Sequence, residues 1–287
     1  MKKFVLLTLL LLIFMSLTAC DILGTSVSNP TETTVPDDEM IAPKDEETTL
    51  SMLPKDEPTQ GSVGLVYELN ANGAGYIVTG IGTCTDTKIV IPAMYEGLPV
   101  TSIGPRAFSH CKKLTTIIIP DTVTKIGVRA FEWCSKLQTV EMGNGVIDID
   151  ANAFEECSFV SIKIGANVAS IGNLAFAYCF NLKSIEIPPS VTKIGALAFM
   201  NTDLNAVYIT DIAAWSNIKF DSRDSNPLYV ASNLFLNGNL VTNLTFPDNM
   251  TIINDYTFYN CESIESIEIS DRATLPSLHP QNNYCTL

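Results

Sequence analysis

The 287-residue sequence is poor in histidine and in basic residues. Its two histidines, His110 and His279, cannot build the three-histidine site of many zinc enzymes. Seventeen basic residues stand against 31 acidic ones, a net charge of -14, and no segment is basic enough to indicate nucleic-acid binding. The apolar run at residues 4–19 is 16 residues long, fewer than the roughly 20 that a transmembrane helix needs.

The N terminus instead has the features of an export signal. A positive start, Met1-Lys2-Lys3, precedes the apolar run, and small residues stand before Cys20. The sequence Leu17-Thr18-Ala19-Cys20 also resembles the bacterial lipobox, in which the cysteine is lipidated and becomes the first mature residue. We therefore predict a lipoprotein signal peptide at residues 1–19 and a lipid on Cys20. The protein would then be extracytoplasmic, touching a bacterial cell membrane through this anchor only.

Residues 21–60 are rich in Thr, Ser, Pro and acidic residues. They hold ten acidic and two basic side chains, a net charge of -8. Such a segment cannot bury enough apolar surface to fold, so we predict a disordered acidic tether at residues 20–60. Its charge either holds the folded part away from a negatively charged envelope or only keeps the linker soluble.

Most of the remaining chain repeats one pattern. Each copy runs through Val, Ile-Gly, Ala-Phe, Cys and Leu, and ends in alternating aliphatic residues. The copies begin at Val100, Val123, Val146, Val168 and Val191, with a last one at Met250. The first five starts are 23, 23, 22 and 23 residues apart. Chance does not keep this many positions in phase, so the pattern indicates a repeat protein.

A copy is too short to bury its own apolar side chains, so neighbouring copies must stack around one shared core. The alternating aliphatic residues predict a short strand, and these strands should form one parallel sheet. The Ala-Phe-x-x-Cys-x-x-Leu segment has the spacing of a turn of helix on the opposite side. The Ile-Gly pair would supply a tight bend between the two.

The cysteines follow the repeat. Five of the eight occupy one repeat position: Cys111, Cys134, Cys157, Cys179 and Cys261. Disulfides are usual in exported proteins. Equivalent residues on stacked coils, however, would hold their Cβ atoms roughly 4.8 Å apart, whereas a disulfide needs about 3.8 Å. We therefore predict a ladder of buried free thiols.

The repeat resembles the BspA-like leucine-rich repeats of bacterial surface lipoproteins, whose unit matches Val123-Thr124-Lys125-Ile126-Gly127 closely. The resemblance implies a leucine-rich-repeat solenoid, a right-handed superhelix with short parallel β-strands on one face and turns or short helices on the other. It also implies extracellular recognition, often adhesion, and it brings no catalytic residues.

This resemblance also divides the chain. Residues 61–99 look like the N-terminal cap of such arrays, and Ile89-Val90-Ile91-Pro92 already carries the strand pattern. The array itself would span residues 100–269, with an insertion at 211–240 in which Trp215 is a packing anchor. Residues 270–287 have no repeat character, so they either fold loosely over the last coil or mark a truncated relative of a longer array.

Two short motifs match catalytic or metal-binding patterns only superficially. Ser190 and Lys193 have the Ser-x-x-Lys spacing of penicillin-binding enzymes, but the partner motifs are missing. Asp148 begins like a calcium loop, yet Ala153 and Phe159 stand where glycine and glutamate are needed. We therefore expect no enzyme activity, no cofactor and no metal site.

The variable positions of the repeat remain as candidates for function. The residues that should point outward from the strands are Ile118, Glu141, Lys163, Glu186, Tyr208, Thr245 and Glu268. They vary where the core does not, and repeat proteins bind partners on such surfaces. We predict that this sheet face binds an extracellular protein or glycan. The alternative is a merely solvated face on a structural spacer of the envelope, without a dedicated ligand.

Overall fold

The computed structural model describes residues 60–247, 250 and 253–268, which stack into a β-solenoid of about eight turns. The predicted signal peptide, Cys20 and the tail at 270–287 lie outside these residues, as does the tether up to residue 59. The strands are β1 (Val66–Leu69), β2 (Tyr76–Gly80), β3 (Lys88–Val90), β4 (Met94–Tyr95), β5 (Leu98–Ile103), β6 (Thr116–Ile119), β7 (Lys125–Ile126), β8 (Thr139–Met142), β9 (Asp148–Ile149), β10 (Ser161–Lys163), β11 (Ser170–Ile171), β12 (Ser184–Glu186), β13 (Lys193–Ile194), β14 (Ala206–Ile209), β15 (Lys219–Phe220), β16 (Leu234–Leu236), β17 (Asn239–Leu240), β18 (Asn243–Thr245) and β19 (Ser266–Glu268).

The first sheet is built from the Val-Thr-x-Ile-Gly segments. Its order is β1-β2-β5-β7-β9-β11-β13-β15, and β4 pairs antiparallel with β5. From β2 onward these strands are parallel, so that Ile103, Ile126 and Ile149 lie in register. The prediction of a single sheet was wrong, because the β-branched residues of this segment are also extended and pair between coils.

The second sheet contains the predicted Leu-x-x-Ile-x-Ile strands and is divided into three pieces. These are β3-β6-β8, then β10-β12-β14-β16-β17, then β18-β19. All pairs are parallel except the hairpin of β16 and β17. Because β3 of the cap pairs with β6, stacking begins before the first full repeat.

The segment that joins the two sheets in each coil consists of successive turns, not helix. The N–H groups of Arg106, Phe108 and His110 donate to carbonyls of the next coil at 2.8–3.0 Å, and the N–H groups between them donate within their own coil. Arg106 and His110 adopt left-handed backbone conformations, with φ of 56° and 61°. Of the turns or short helices predicted on this side, the structure has turns, because left-handed residues interrupt a right-handed helix after every few residues.

A ladder of phenylalanines fills the core. Consecutive rings are stacked with centroids 5.2 to 5.5 Å apart and planes within 6° of parallel, and the ladder comprises Phe108, Phe131, Phe154, Phe176 and Phe199. Phe258, which the pattern also assigns to this ladder, is only partly buried and packs against Phe246 at 6.0 Å. The variant coil described below separates it from the other rings.

The predicted thiol ladder is confirmed for Cys111, Cys134, Cys157 and Cys179. These four are free thiols, and they are buried except for Cys111, which is half-buried; Cys261 is buried as well. The Sγ atoms of Cys134, Cys157 and Cys179 each donate to the carbonyl of a ladder phenylalanine in the preceding coil, at 3.1, 3.3 and 3.2 Å. Burial raises the pKa of the Cys134 and Cys179 thiols to about 12, and it also raises the pKa of the Cys157 thiol well above its ordinary value. Cys84 of the cap is also free and buried.

The glycine of the Ile-Gly pair allows two coils to approach closely. A Cβ atom on Gly127 would lie 2.7 Å from the carbonyl oxygen of Ile103 in the preceding coil. The backbone of Gly127 does not adopt a positive φ. The position therefore requires glycine because no Cβ atom fits against the preceding coil. The bend predicted there does not depend on a left-handed glycine.

Residues 211–240 break the sequence period but continue the stack. They contain α1 (Ile212–Ser216), a 3-10 turn (Arg223–Ser225) and α2 (Leu228–Ala231). Nevertheless β15 pairs with β13 in the first sheet, and β16 pairs with β14 in the second. The segment is therefore a longer variant coil. Trp215 is 1% exposed and donates from Nε1 to the carbonyl of Thr257 at 3.1 Å, which makes it a packing anchor as predicted.

Candidate functional site

The strands of the second sheet present one row of outward side chains, which we call the outward row. Strand register aligns Ile118 with Glu141, Lys163 with Glu186 and Tyr208, and Thr245 with Glu268. It also adds two residues that the sequence pattern missed, Val90 before Ile118 and Phe235 after Tyr208. Each of the nine is at least partly exposed. Phe235 lies in the variant coil, where the repeat spacing gives no register, so only its Leu-Phe-Leu alternation could have indicated it.

A break in the second sheet interrupts the outward row between β8 and β10, which are not paired. Its cause is visible in the sequence. Three residue steps separate Cys134 from Leu137, but only two separate Cys157 from Phe159. The shorter connection lies just before β10, whereas the first-sheet strands of the same two coils, β7 and β9, stay in register. At the break the N–H of Gly165 donates to the thioether of Met142 at 3.4 Å.

The break forms a surface groove of about 500 Å³, which we call the break groove. Apolar side chains of Ile118, Val140 and Met142 line it together with two charged members of the outward row, Glu141 and Lys163. Because β8 and β10 are unpaired, backbone groups along their facing edges are free to bond a ligand or water.

A second, smaller pocket adjoins the break groove through Lys163. We call it the Tyr208 pocket; it has a volume of about 220 Å³ and is lined by Ser161, Ile162, Lys163, Ser184, Glu186 and Tyr208. The Tyr208 ring stacks on Phe235 of the next coil, with centroids 4.8 Å apart and planes 27° from parallel. An aromatic wall thus lies beside two hydroxyls and two opposite charges.

The charges of the outward row have no ion-pair partners among the residues that the structure describes. Lys163 and Glu186 are opposite each other in strand register, yet no ion pair or side-chain hydrogen bond joins either of them, or Glu141, to another described residue. On the first sheet, by contrast, Lys125 and Lys193 are each paired with an aspartate, at 3.0 and 3.3 Å. The outward row therefore keeps its hydrogen-bonding capacity for a ligand.

The residues of the motifs that resemble catalytic or calcium sites make hydrogen bonds and ion pairs within the solenoid. Ser190 donates its hydroxyl to the carbonyl of Val168 at 2.7 Å. Asp148 accepts from the Ser170 hydroxyl at 2.6 Å, and Asp150 is the carboxylate partner of a lysine on the first sheet. These contacts give each residue a role in joining one coil to the next.

In the described ranges no three His, Cys, Asp or Glu side chains are grouped so as to hold a metal ion. The two helices have five and four residues, and no helix in the described part of the chain is long and apolar enough to cross a membrane.

The architecture is that of a leucine-rich-repeat solenoid, a class of scaffold that generally binds partners rather than catalysing reactions. Residues 101–226 and 228–279 match the BspA type leucine rich repeat region in six copies. The chain belongs to this family. No curated protein matches the sequence.

Several solved structures are similar to the chain. The T. pallidum leucine-rich-repeat protein TpLRR is 25% identical, with a TM-score of 0.49 over 74% of this chain and 81% of its own. A leucine-rich cell surface protein from Faecalibacterium prausnitzii is 24% identical, with a TM-score of 0.38 over 77% and 73%. The pneumococcal vaccine antigen PcpA is 17% identical, with a TM-score of 0.41 over 74% and 70%.

Proposed function

We propose that the protein is a lipid-anchored protein of the bacterial cell surface that binds an extracellular protein or glycan through the outward row. The observation that carries the proposal is the set of unpartnered charges, Glu141, Lys163 and Glu186, beside two surface cavities. A face that served only solubility would not need the two cavities that lie beside these charges.

Membership of the BspA-type leucine-rich-repeat family supports a surface location and a binding role. The lipid anchor rests on the sequence around Cys20. Cys20→Ala should release the protein from membranes into the medium or the soluble extract. If the variant remains in the membrane fraction like the wild type, the anchor proposal is wrong.

The binding role is tested on the outward row itself. The variant carries alanine at Glu141, Lys163, Glu186 and Tyr208, and bacteria displaying it should lose adhesion to host cells and to extracellular matrix. A matched control places four alanines on the exposed side of the first sheet, at Lys125, Asp148, Lys193 and Lys219, and should bind normally.

Circular dichroism must be unchanged in both proteins for the comparison to hold. Equal binding by the wild type and the outward-row variant would refute the proposal. Failure of the wild type to retain any component of host or community extracts would favour the envelope spacer instead.

A further inference from the structure

We infer that the ligand of the outward row is a neutral glycan, with one sugar ring in the Tyr208 pocket and the chain continuing into the break groove. This inference rests on the proposed function, because both depend on the outward row. It narrows that function from an extracellular partner of either class to a carbohydrate.

The Tyr208 pocket has the chemistry that a pyranose ring requires. One face of a sugar ring is made of C–H groups, which pack on an aromatic side chain, while its hydroxyls both donate and accept hydrogen bonds. The pocket offers the Tyr208 ring as its apolar wall. Around it are Ser184 as donor and acceptor, Lys163 as donor and Glu186 as acceptor.

The charges of the outward row favour a neutral ligand. Lys163 lies between Glu141 and Glu186, so an anionic sugar that paired with the lysine would meet two carboxylates nearby. The chain as a whole carries a net charge of -14, which repels polyanionic polysaccharides at a distance. Neutral hydroxyls can use both the ammonium and the carboxylates without this penalty.

A protein partner fits the same surface less well. The centres of protein interfaces are depleted in charged residues, and aromatic side chains dominate there. In the outward row the charged residues Glu141, Lys163 and Glu186 occupy the middle, and the aromatic pair of Tyr208 and Phe235 stands to one side.

The spacing of the coils suits a polymer of sugars. Paired strands of successive coils lie roughly 4.8 Å apart, and the stacked rings of the phenylalanine ladder lie 5.2 to 5.5 Å apart. This step is close to the length of one sugar residue in an extended chain, so a glycan lying along the solenoid meets one new member of the outward row with each residue. A pocket of about 220 Å³ accommodates one ring, and the break groove of about 500 Å³ leaves room for the rings that follow.

The test is a binding screen of the full-length protein. Immobilised neutral oligosaccharides should cover hexoses, deoxyhexoses and N-acetylhexosamines in both anomeric linkages, with heparin and polysialic acid as anionic probes and fibronectin and fibrinogen as protein probes. We expect neutral oligosaccharides to bind, with affinity increasing from one residue to three and changing little with salt.

Variants then place the ligand. Tyr208→Ala should weaken binding about tenfold, since it removes one aromatic contact. Tyr208→Phe keeps the ring, and its affinity should stay close to that of the wild type. Glu186→Ala should also weaken binding, because it removes a hydrogen-bond acceptor while leaving the aromatic pair intact. Tyr229→Ala is the matched control, because this tyrosine is 43% exposed but lies outside the outward row.

The outcomes separate the two proposals. If a protein or anionic probe binds through the outward row and no neutral oligosaccharide does, the glycan inference is overturned while the binding function stands. If no probe binds, both are overturned. If neutral oligosaccharides bind but Tyr208→Ala and Glu186→Ala have no effect, the site assigned to the glycan is wrong.

Discussion

The buried thiols Cys134 and Cys179 should make the solenoid sensitive to alkali. Burial raises their pKa from an ordinary value of 9.0 to about 12, so the folded protein keeps both protons at a pH where the unfolded chain has released them. The folded state then binds more protons than the unfolded state, and stability falls as pH rises. The contribution is complete below pH 9 and is lost between pH 9 and 12.

The magnitude follows from the size of the pKa shift. Each pH unit inside this window lowers the free energy of unfolding by a little over 1 kcal/mol per thiol, which gives roughly 1 kcal/mol at pH 10 and roughly 2–3 kcal/mol at pH 11. Two thiols therefore remove roughly 5 kcal/mol at pH 11, a large part of the 5–15 kcal/mol that stabilises a typical domain. Cys157, whose pKa is raised in the same direction by complete burial, adds to this loss.

The assay is urea unfolding under reducing conditions at pH 7.5, 10 and 11, with the Cys134→Ala/Cys179→Ala variant as the comparison. Deprotonation of tyrosines and lysines affects both proteins equally and cancels in the difference. The wild type should be more stable at pH 7.5, and its advantage should shrink or reverse by pH 11. If the difference in free energy of unfolding between the two proteins does not change with pH, the thiols are not buried in the neutral form. Labelling of these thiols in the native protein at pH 8 would contradict their burial in the same way.

Three further predictions concern the stack. Phe154→Ala should lower the free energy of unfolding by about 3–5 kcal/mol, because a fully buried ring is removed, whereas Phe258→Ala should cost clearly less. Gly127→Ala should be destabilising by about 1–3 kcal/mol, because its Cβ would be forced against backbone of the preceding coil. Inserting one residue between Ser158 and Phe159 should restore the 23-residue period, pair β8 with β10 and close the break groove, which hydrogen exchange of these strands would detect as added protection.

Each of these has a distinct contrary result. If Phe154→Ala and Phe258→Ala lower the free energy of unfolding equally, then Phe258 is packed as tightly as the rings of the ladder, contrary to the structure. If Gly127→Ala leaves the free energy of unfolding unchanged, adjacent coils can move apart at this position without destabilising the protein. An insertion variant with unchanged exchange at β8 would show that the short connection does not cause the break.

The repeat period made the stack, the phenylalanine ladder and the thiol row predictable, because one spacing fixes which side chains of neighbouring coils meet. It could not reveal the first sheet, since Val-Thr-x-Ile is compatible with a bend as well as with a paired strand. The turns between the sheets were also hidden. Left-handed conformations at residues as different as Arg106 and Leu197 leave no signature in residue type.

The candidate site was only partly predictable for a related reason. Alternation along each strand identified Glu141, Lys163, Glu186 and Tyr208 as outward residues, and strand register aligns Lys163 with Glu186 and Tyr208, and Glu141 with Ile118. The break between β8 and β10 depends on a single missing residue, whose effect on pairing is a property of the folded stack. Phe235 belongs to a coil of different length, so only the structure places it beside Tyr208.

The central claim is that the outward row of the second sheet is where an extracellular ligand binds. Hydrogen exchange of the full-length protein, followed by mass spectrometry with and without the ligand retained in the binding screen, tests this most directly. The account predicts that protection on binding is confined to peptides covering β8, β10, β12 and β14 and the turns that line the two cavities. Protection confined to the first sheet or to the turns between the sheets would contradict it.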